Sequence, residues 1–462
     1  MHVLIEPELE RWAIRSNDAD RSSIIDVANR HAARFGTGRI SSANPIIATG
    51  HQAWLWHPGI LAKYVALHQS SSRFNATELA IVVDHDSYDA LALELPINQQ
   101  GRLVVQRVEL APQSPNWPLA SSPPVDTDVL RRSLIGAREK YGATLVVDLE
   151  PILAAATDLP DCRTLAEQIA VLLARLISPI IGMQLPILFS SEVSMMAPFQ
   201  TLVQKMLHDP QRCVEIYNAK VSRHDRAGMT PLCIEADRIE LPLWGLTWCQ
   251  PRRRVFADIS GSVPVLVLEN GRPLDKENFR IAPRAVLLTG FLRSVCCDFF
   301  IHGRGGAIYD RISEQWLAEW RGIQLAPIAV VSADLHLPLD APVAHASELS
   351  RAHWRAHHLP HNIDRVLDLD GLDVRRKHML LTHMDDDRDR VRRAKAFREI
   401  HQINDDLGIK HADVLDRARH DLARTKVGVA NRDIARKRDW CFAFYGHEQL
   451  NALSRRMENP TK

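Results

Sequence analysis

Ile46-Ile47-Ala48-Thr49-Gly50-His51-Gln52, followed closely by Trp56-His57-Pro58-Gly59-Ile60-Leu61-Ala62-Lys63-Tyr64, is the stretch on which the fold turns. Its apolar start predicts a buried strand, its glycine a turn, and Pro58 the entry of a helix. Proline suits the first helical turn because the N–H it lacks would have no helical partner there. Such a turn carries His51, Gln52 and His57 to a helix start. Unpaired backbone donors and the positive end of the helix dipole attract anions at that point. The expected ligand group is therefore a nucleotide phosphate or a carboxylate. Lys63 lies further along the helix, where a solvated face is the simpler reading.

Working outward, short apolar runs at 45–49, 79–84, 185–189, 299–302 and 327–331 read as strands buried on both faces. Helical patterns at 58–68, 165–177, 199–207 and 307–320 alternate with most of them. That alternation predicts an α/β fold with a mostly parallel, helix-covered sheet. Two insertions interrupt it, at about 90–160 and at 211–263. In the first, Leu91, Leu93, Leu95 and Ile97, then Leu103 and Val105, flank Asn98-Gln99-Gln100-Gly101 and predict a hairpin. A run with Pro112, Pro115, Pro118, Pro123 and Pro124 follows and reads as a surface loop or linker. In the second, 233–235 and 239–243 flank Ala236-Asp237-Arg238 and predict a β unit. Arg252-Arg253-Arg254 reads there as a solvated face, with phosphate binding as the alternative.

From about His345 the aliphatic strands stop and charge rises. Ile400, Ile403 and Leu407, then Val414, Leu415, Ala418 and Leu422, recur at helical intervals. The chain thus divides into a core over 1–344 and a helical domain over 345–462. The amphipathic helices suit packing on the core and pairing with a second subunit equally well, and a homodimer through them is expected.

Composition narrows the function classes. At 462 residues the chain exceeds a single hydrophobic core. A net charge of +1 provides no overall field for nucleic acid or an acidic membrane. The absence of a long apolar window and of a signal-like N-terminus predicts a cytoplasmic protein without membrane spans. Seven cysteines, an odd number without a CxxC, argue against a disulfide framework or a zinc ribbon, and Cys296-Cys297 reads as buried free thiols.

Two further constellations carry chemistry. Asp84-His85-Asp86, with Asp89 three residues on, follows the apolar run 79–83, where parallel sheets bind their ligands beyond the carboxyl ends of strands. These groups provide an acid or base and carboxylates able to hold magnesium or an amine; a carboxylate capping a turn is the plainer alternative. His302-Gly303-Arg304-Gly305-Gly306, with Tyr309, again runs from a strand through a glycine turn into a helix. It is neither a Walker A loop nor a full GxGxxG, and no nucleophile elbow occurs.

Together these stretches resemble one family. Thr49-Gly50-His51-Gln52 followed by Pro58-Gly59 and Lys63 resembles the TGQQ…GPLYTxYK region of the bacillithiol-biosynthesis cysteine-adding enzymes (the BshC family). Asp84-His85-Asp86 resembles that family's EDHDF segment. Arg284-Ala285-Val286-Leu287-Leu288, then the glycine turn ending at Tyr309, resembles the region of its GxGEIAY motif. The order is the same over residues 45–425, with identity confined to the motifs.

The resemblance implies a Rossmann-like core akin to class I aminoacyl-tRNA synthetases and nucleotidyltransferases, with a coiled-coil-like, dimer-forming tail. It implies a ligase that joins cysteine to an amino-sugar conjugate, glucosaminyl-malate, in low-molecular-weight thiol biosynthesis. ATP or ADP, with magnesium as a possible companion, would then lie against His57–Gly59 and the turn at 303–306. His85, with Asp84 or Asp86 and with His51 nearby, would act on the attacking group, while Arg284 and Arg304 would hold a carboxylate or phosphate. His51 replaces the first glutamine of TGQQ, Val83 the acid before the Asp-His-Asp, and Gly306 the glutamate of GxGEIAY. These departures leave the acceptor open to another amine or thiol. They also leave open nucleotidyl transfer or metal-assisted hydrolysis on the same fold, and a binding protein that keeps the pocket without the chemistry.

Overall fold

The computed structural model describes residues 1–15, 20–41, 44–114, 116–182, 184–224, 228–275 and 277–458; Pro115 of the proline-rich run lies outside them. Among the described residues the strands are β1 (His2–Glu6), β2 (Ile46–Gln52), β3 (Thr77–Val83), β4 (Ala92–Gln99), β5 (Arg102–Glu109), β6 (Ile187–Phe189), β7 (Arg238–Leu246), β8 (Arg253–Asp258), β9 (Val265–Leu268), β10 (Arg280–Pro283), β11 (Phe299–His302) and β12 (Ile328–Asp334). The fold is mixed α/β. Its main sheet has the order β1-β12-β11-β2-β3-β6, parallel except for the antiparallel edge strand β1.

The five apolar runs are the five parallel strands, and their side chains alternate between two cores. Ile47, Ala80, Val82, Phe299 and Ile301 face one cluster; Ile46, Ala48, Leu79, Ile81 and Phe300 face the other. This is the period of two that a strand buried on both sides imposes. The register sets Thr49 opposite both Ala80 and Ile301, and its hydroxyl donates to the Ile301 carbonyl at 2.8 Å, tying β2 to β11.

The order of the strands, more than their identity, positions the site. The chain builds β2, β3 and β6 outward in one direction, then returns to place β11 and β12 on the other side of β2. Order therefore reverses between β2 and β11. Connections leaving the two strands diverge there and open a crevice at their carboxyl ends, where open α/β sheets bind ligands.

The expected hairpin is β4–β5. Gln99 pairs with Arg102, so Gln100 and Gly101 make a two-residue turn, both at positive φ (53° and 89°), as a type I′ turn requires. The second β unit is larger than expected. It is a four-stranded antiparallel sheet, β10-β7-β8-β9, that runs on to Pro283, while 210–221 is helical and the Cys233–Glu235 segment contributes one bridge, Ile234 to Ile239.

After β12 come helices Ala346–Val366, Leu372–Asp386, Arg390–Lys410 and Ala412–Ala435. Asn431 docks the last of them. Its side chain accepts from Leu103 N–H at 2.8 Å and donates to the Gly101 and Pro342 carbonyls at 2.7 and 2.9 Å. The chain then returns to the main body. Trp440, Phe442 and Leu453 are fully buried in the core beneath helix Pro58–Phe74, and Phe442 N–H donates to the Trp56 carbonyl at 2.7 Å. No helix among the described residues is long and apolar enough to cross a membrane.

Candidate functional site

A cavity of about 630 Å³ occupies the crevice where strand order reverses. The ends of β2, β3, β11 and β12 and the start of helix Pro58–Phe74 form its floor and walls, and residues 436–439 close over it. Gly50, His51, Gln52, His57, Gly59, Lys63, His85, Asp86, His302, Gly303, Arg304, Gly305, Gly306 and Tyr309 all line it, from stretches more than 200 residues apart in sequence. Asp84 lies just beneath the lining. Arg284 is outside it, with Ala285 in its place, and Asp89 is also outside, half-exposed and paired with Arg107.

His57 caps helix Pro58–Phe74. Its Nδ1 accepts the Gly59 N–H at 3.1 Å, so the neutral ring carries its proton on Nε2. Burial lowers its pKa and keeps it neutral. Glycine is required at 59, because a Cβ would stand 2.9 Å from both the Ala333 carbonyl and the His57 ring. Lys63 does not face solvent. It is 3% exposed, its Nζ donates to the Gly50 carbonyl at 2.6 Å, and burial draws its pKa down to about 7. Burial also pushes the His51 pKa well below its ordinary value, and its Nδ1 is buried without a partner.

At the end of β3, Asp84 is enclosed. Ser190 Oγ, Ser191 N–H and Ser191 Oγ donate to its carboxyl at 2.8, 2.8 and 2.6 Å. Burial raises its pKa against the pull of these donors. Ser190 Oγ also accepts the Asp84 N–H at 3.1 Å and lies 2.6 Å from His85 Nδ1. His85 is itself buried, and burial lowers its pKa, so the ring is neutral near pH 7. Asp86 pairs with Arg252 and accepts from Gln52 at 3.4 Å; burial opposes its ionisation, but His85 and Arg252 outweigh it and hold the carboxyl below its ordinary range.

Arg252 corrects one expectation: it belongs to the site, while Arg253 and Arg254 are the solvated members of that run. It lies over the Trp244 ring, 4.2 Å from the centroid, and Arg284 lies 4.1 Å from the same centroid. Arg284 is committed to Glu240 at 2.7 Å, which leaves it a structural role beside the site.

Across the crevice, His302 Nε2 lies 3.0 Å from Asp310, which also pairs with the buried Arg293. Burial disfavours the Asp310 carboxylate, but His302 and Arg293 outweigh it and hold its pKa below the ordinary value. A side chain at Gly306 would run into the His302 ring, so glycine is the residue this histidine leaves room for. Tyr309 is buried enough for its pKa to rise to about 12. Arg304 lies 3.6 Å from Asp334, which Arg438 also approaches at 2.5 Å.

Sequence reasoning missed Ser190 and Ser191, although they directly follow an apolar run and the carboxyl-end rule applied to the other strands points to them. It also missed Arg436, Lys437, Arg438 and Asp439, which no local signal marks. With Lys63 and Arg304 they make the cavity predominantly cationic, while its carboxylates Asp86, Asp334 and Asp439 each have a cationic partner. Among the described residues, no three His, Cys, Asp or Glu side chains gather as a metal shell. No family model matches the chain, and no curated protein matches it.

Proposed function

We propose that this cavity is the active site of a nucleotide-using ligase of the bacillithiol cysteine-adding type, on a Rossmann-like core, joining cysteine or a related thiol or amine to an amino-sugar conjugate. One observation carries the reading. All three motif stretches behind the family resemblance, although dispersed in sequence, line a single cavity at the strand-order reversal. The residues present fit ATP or ADP. Lys63, the His57 Nε2–H and the backbone at 303–306 suit phosphates at the helix start, and Arg304 with Arg436 and Arg438 suits further negative charge. Because the cavity carboxylates are already paired, magnesium would enter on phosphate oxygens. The nucleotide would supply activation of an oxygen as a leaving group. His85 would take the proton of the attacking thiol or amine.

Metal-assisted hydrolysis by the Asp84-His85-Asp86 cluster has less support, since Asp84 is engaged by Ser190 and Ser191 and Asp86 by Arg252. Thermal shifts with ATP, ADP and AMP, with and without magnesium, test the nucleotide, because a ligand that binds only the folded chain raises its stability. A shift lost in Lys63→Met or Arg436→Ala is expected. Mass spectrometry of reactions with cysteine and glucosaminyl-malate tests the coupling. No shift at millimolar nucleotide and no adduct would overturn the proposal. Dimerisation through the 346–435 helices is part of it, and a monomer in light scattering at working concentration would remove that part.

A further inference from the structure

Among the histidines that line the cavity, His57 and His85 are given opposite polarity by their hydrogen bonds. His57 Nδ1 accepts an amide proton, so its Nε2 is a donor. His85 is set by Ser190, whose hydroxyl has one proton and two lone pairs. That proton points at Asp84 Oδ1, 2.8 Å away. One lone pair accepts the Asp84 N–H at 3.1 Å. The remaining lone pair faces His85 Nδ1 at 2.6 Å, a contact that makes a hydrogen bond only if Nδ1 bears the proton. Asp84 cannot readily reverse the chain, because Ser191 already donates to both of its oxygens from N–H and Oγ. His85 Nε2, across the ring, lies 4.0 Å from Asp86 Oδ1, beyond hydrogen-bond range.

We infer that Ser190 is the positioning residue of this site: it relays Asp84 to His85, holds the imidazole as the Nδ1–H tautomer, and leaves the Nε2 lone pair as the base facing the reactants. The proton removed from an attacking thiol or amine passes to Nε2. The resulting imidazolium keeps its Nδ1–H on Ser190, backed by the Asp84 carboxylate, and loses the new proton to solvent before the next cycle. This is the logic by which a fixed second partner selects the reactive nitrogen of a histidine. The catalytic meaning rests on the ligase reading; the tautomer itself is read without substrate.

The test is a long-range proton–nitrogen NMR spectrum of the full chain labelled with 15N-histidine near pH 7.5, with His85 assigned by its loss in His85→Gln. The expected wild-type pattern is a protonated, pyrrole-type Nδ1 and an unprotonated, pyridine-type Nε2. Ser190→Ala should move the signal toward the Nε2–H form, and Ser190→Thr, which keeps a hydroxyl, should restore it. A wild-type Nε2–H pattern overturns the proposal, and so does a folded Ser190→Ala with an unchanged pattern. The wild-type spectrum decides if the variants do not fold. The Nδ1–H pattern in a protein that forms no adduct supports the positioning role and sinks the ligase reading. The Nε2–H pattern in a protein that does form adduct does the reverse.

Discussion

The crevice beside β2 and the helical segment 346–435 both bury ionisable groups, but they hold them in different surroundings. Around the crevice, Asp84, His85, Asp310 and Arg293 sit between two extensive apolar cores, and the strand register places the backbone that carries them. In the helical segment the apolar core is small: Leu359, Ile363, Val374, Leu407 and Ala418. At its centre is an ion pair, Asp364 to Lys377 at 2.7 Å, with His378 at 2.9 Å on the other oxygen. Leu372, Val391 and Ile409, at 86, 77 and 77% exposure, lie outside any core. The crevice relies on a large packing energy to hold polar groups in a reactive arrangement. The helical segment depends on polar groups for much of its own cohesion, and Asn431 hydrogen-bonds it to the hairpin beside the packing of Ile434 and Ala435 on the main core.

Perturbing each part should separate these roles. The largest expected effect is on chemistry. On the proposed ligase reading, His85→Gln should lower ligation roughly 100-fold or more, the scale of a lost general base, while circular dichroism stays at the wild-type pattern. Retained turnover would show that the crevice positions something other than a base.

Next is the helical ion pair. Asp364→Ala leaves Lys377 buried and unpaired and should cost roughly 3–5 kcal/mol. Hydrogen exchange should show protection lost across 346–435 and kept in β2, β3 and β11. A loss spread evenly over the chain would mean that the two parts unfold as one unit.

Lys63 gives a sharper test inside the crevice. Its folded pKa of about 7 lies below the unfolded value near 10.5. Between those values the unfolded chain binds a proton that the folded chain does not, so stability rises with pH across that window; below about 7 both states are protonated and the slope vanishes. Lys63→Met should remove the slope and stabilise the free protein at pH 7 by on the order of a few kcal/mol. Urea denaturation at pH 7 and pH 9 measures both. A slope that persists in the variant would assign the linkage to another group.

The smallest effect is at the junction. Asn431→Ala leaves Leu103 N–H and two carbonyls without their partner and should cost about 1–3 kcal/mol. Because the helix that carries Asn431 leads directly into 436–439, the nucleotide-induced stabilisation proposed above should also weaken in this variant. An unchanged shift would show that the residues covering the cavity hold their place without the helical segment.

Much of the architecture is legible in the sequence. The five parallel strands, the helices between them and the β4–β5 hairpin follow from apolar runs, proline and glycine, because local periodicity is imposed by burial on one or two faces. Fourteen of the seventeen anticipated site residues share one cavity for the same reason, since each stretch is a strand running into a turn. The exceptions are instructive. Asp84 looks like its neighbour Asp86 in sequence, but both lie past the end of β3 at Val83, where the chain turns, and that turn buries the first against Ser190 and Ser191 and sets the second on the cavity. Arg252, Arg253 and Arg254 are chemically identical, and only the path of β8 beside Trp244 separates the site member from the solvated pair.

Sequence by itself therefore determined the five parallel strands, the helices expected between them, the β4–β5 hairpin and which strand ends carry reactive side chains, because those properties depend on neighbours a few residues away. Only the tertiary structure decided where β2 meets β11, which proton acceptor faces His85, that Lys63 is buried, and that residues 436–439 return over the site. Those depend on strand order and on groups brought together across up to several hundred residues, and no local pattern encodes such distances.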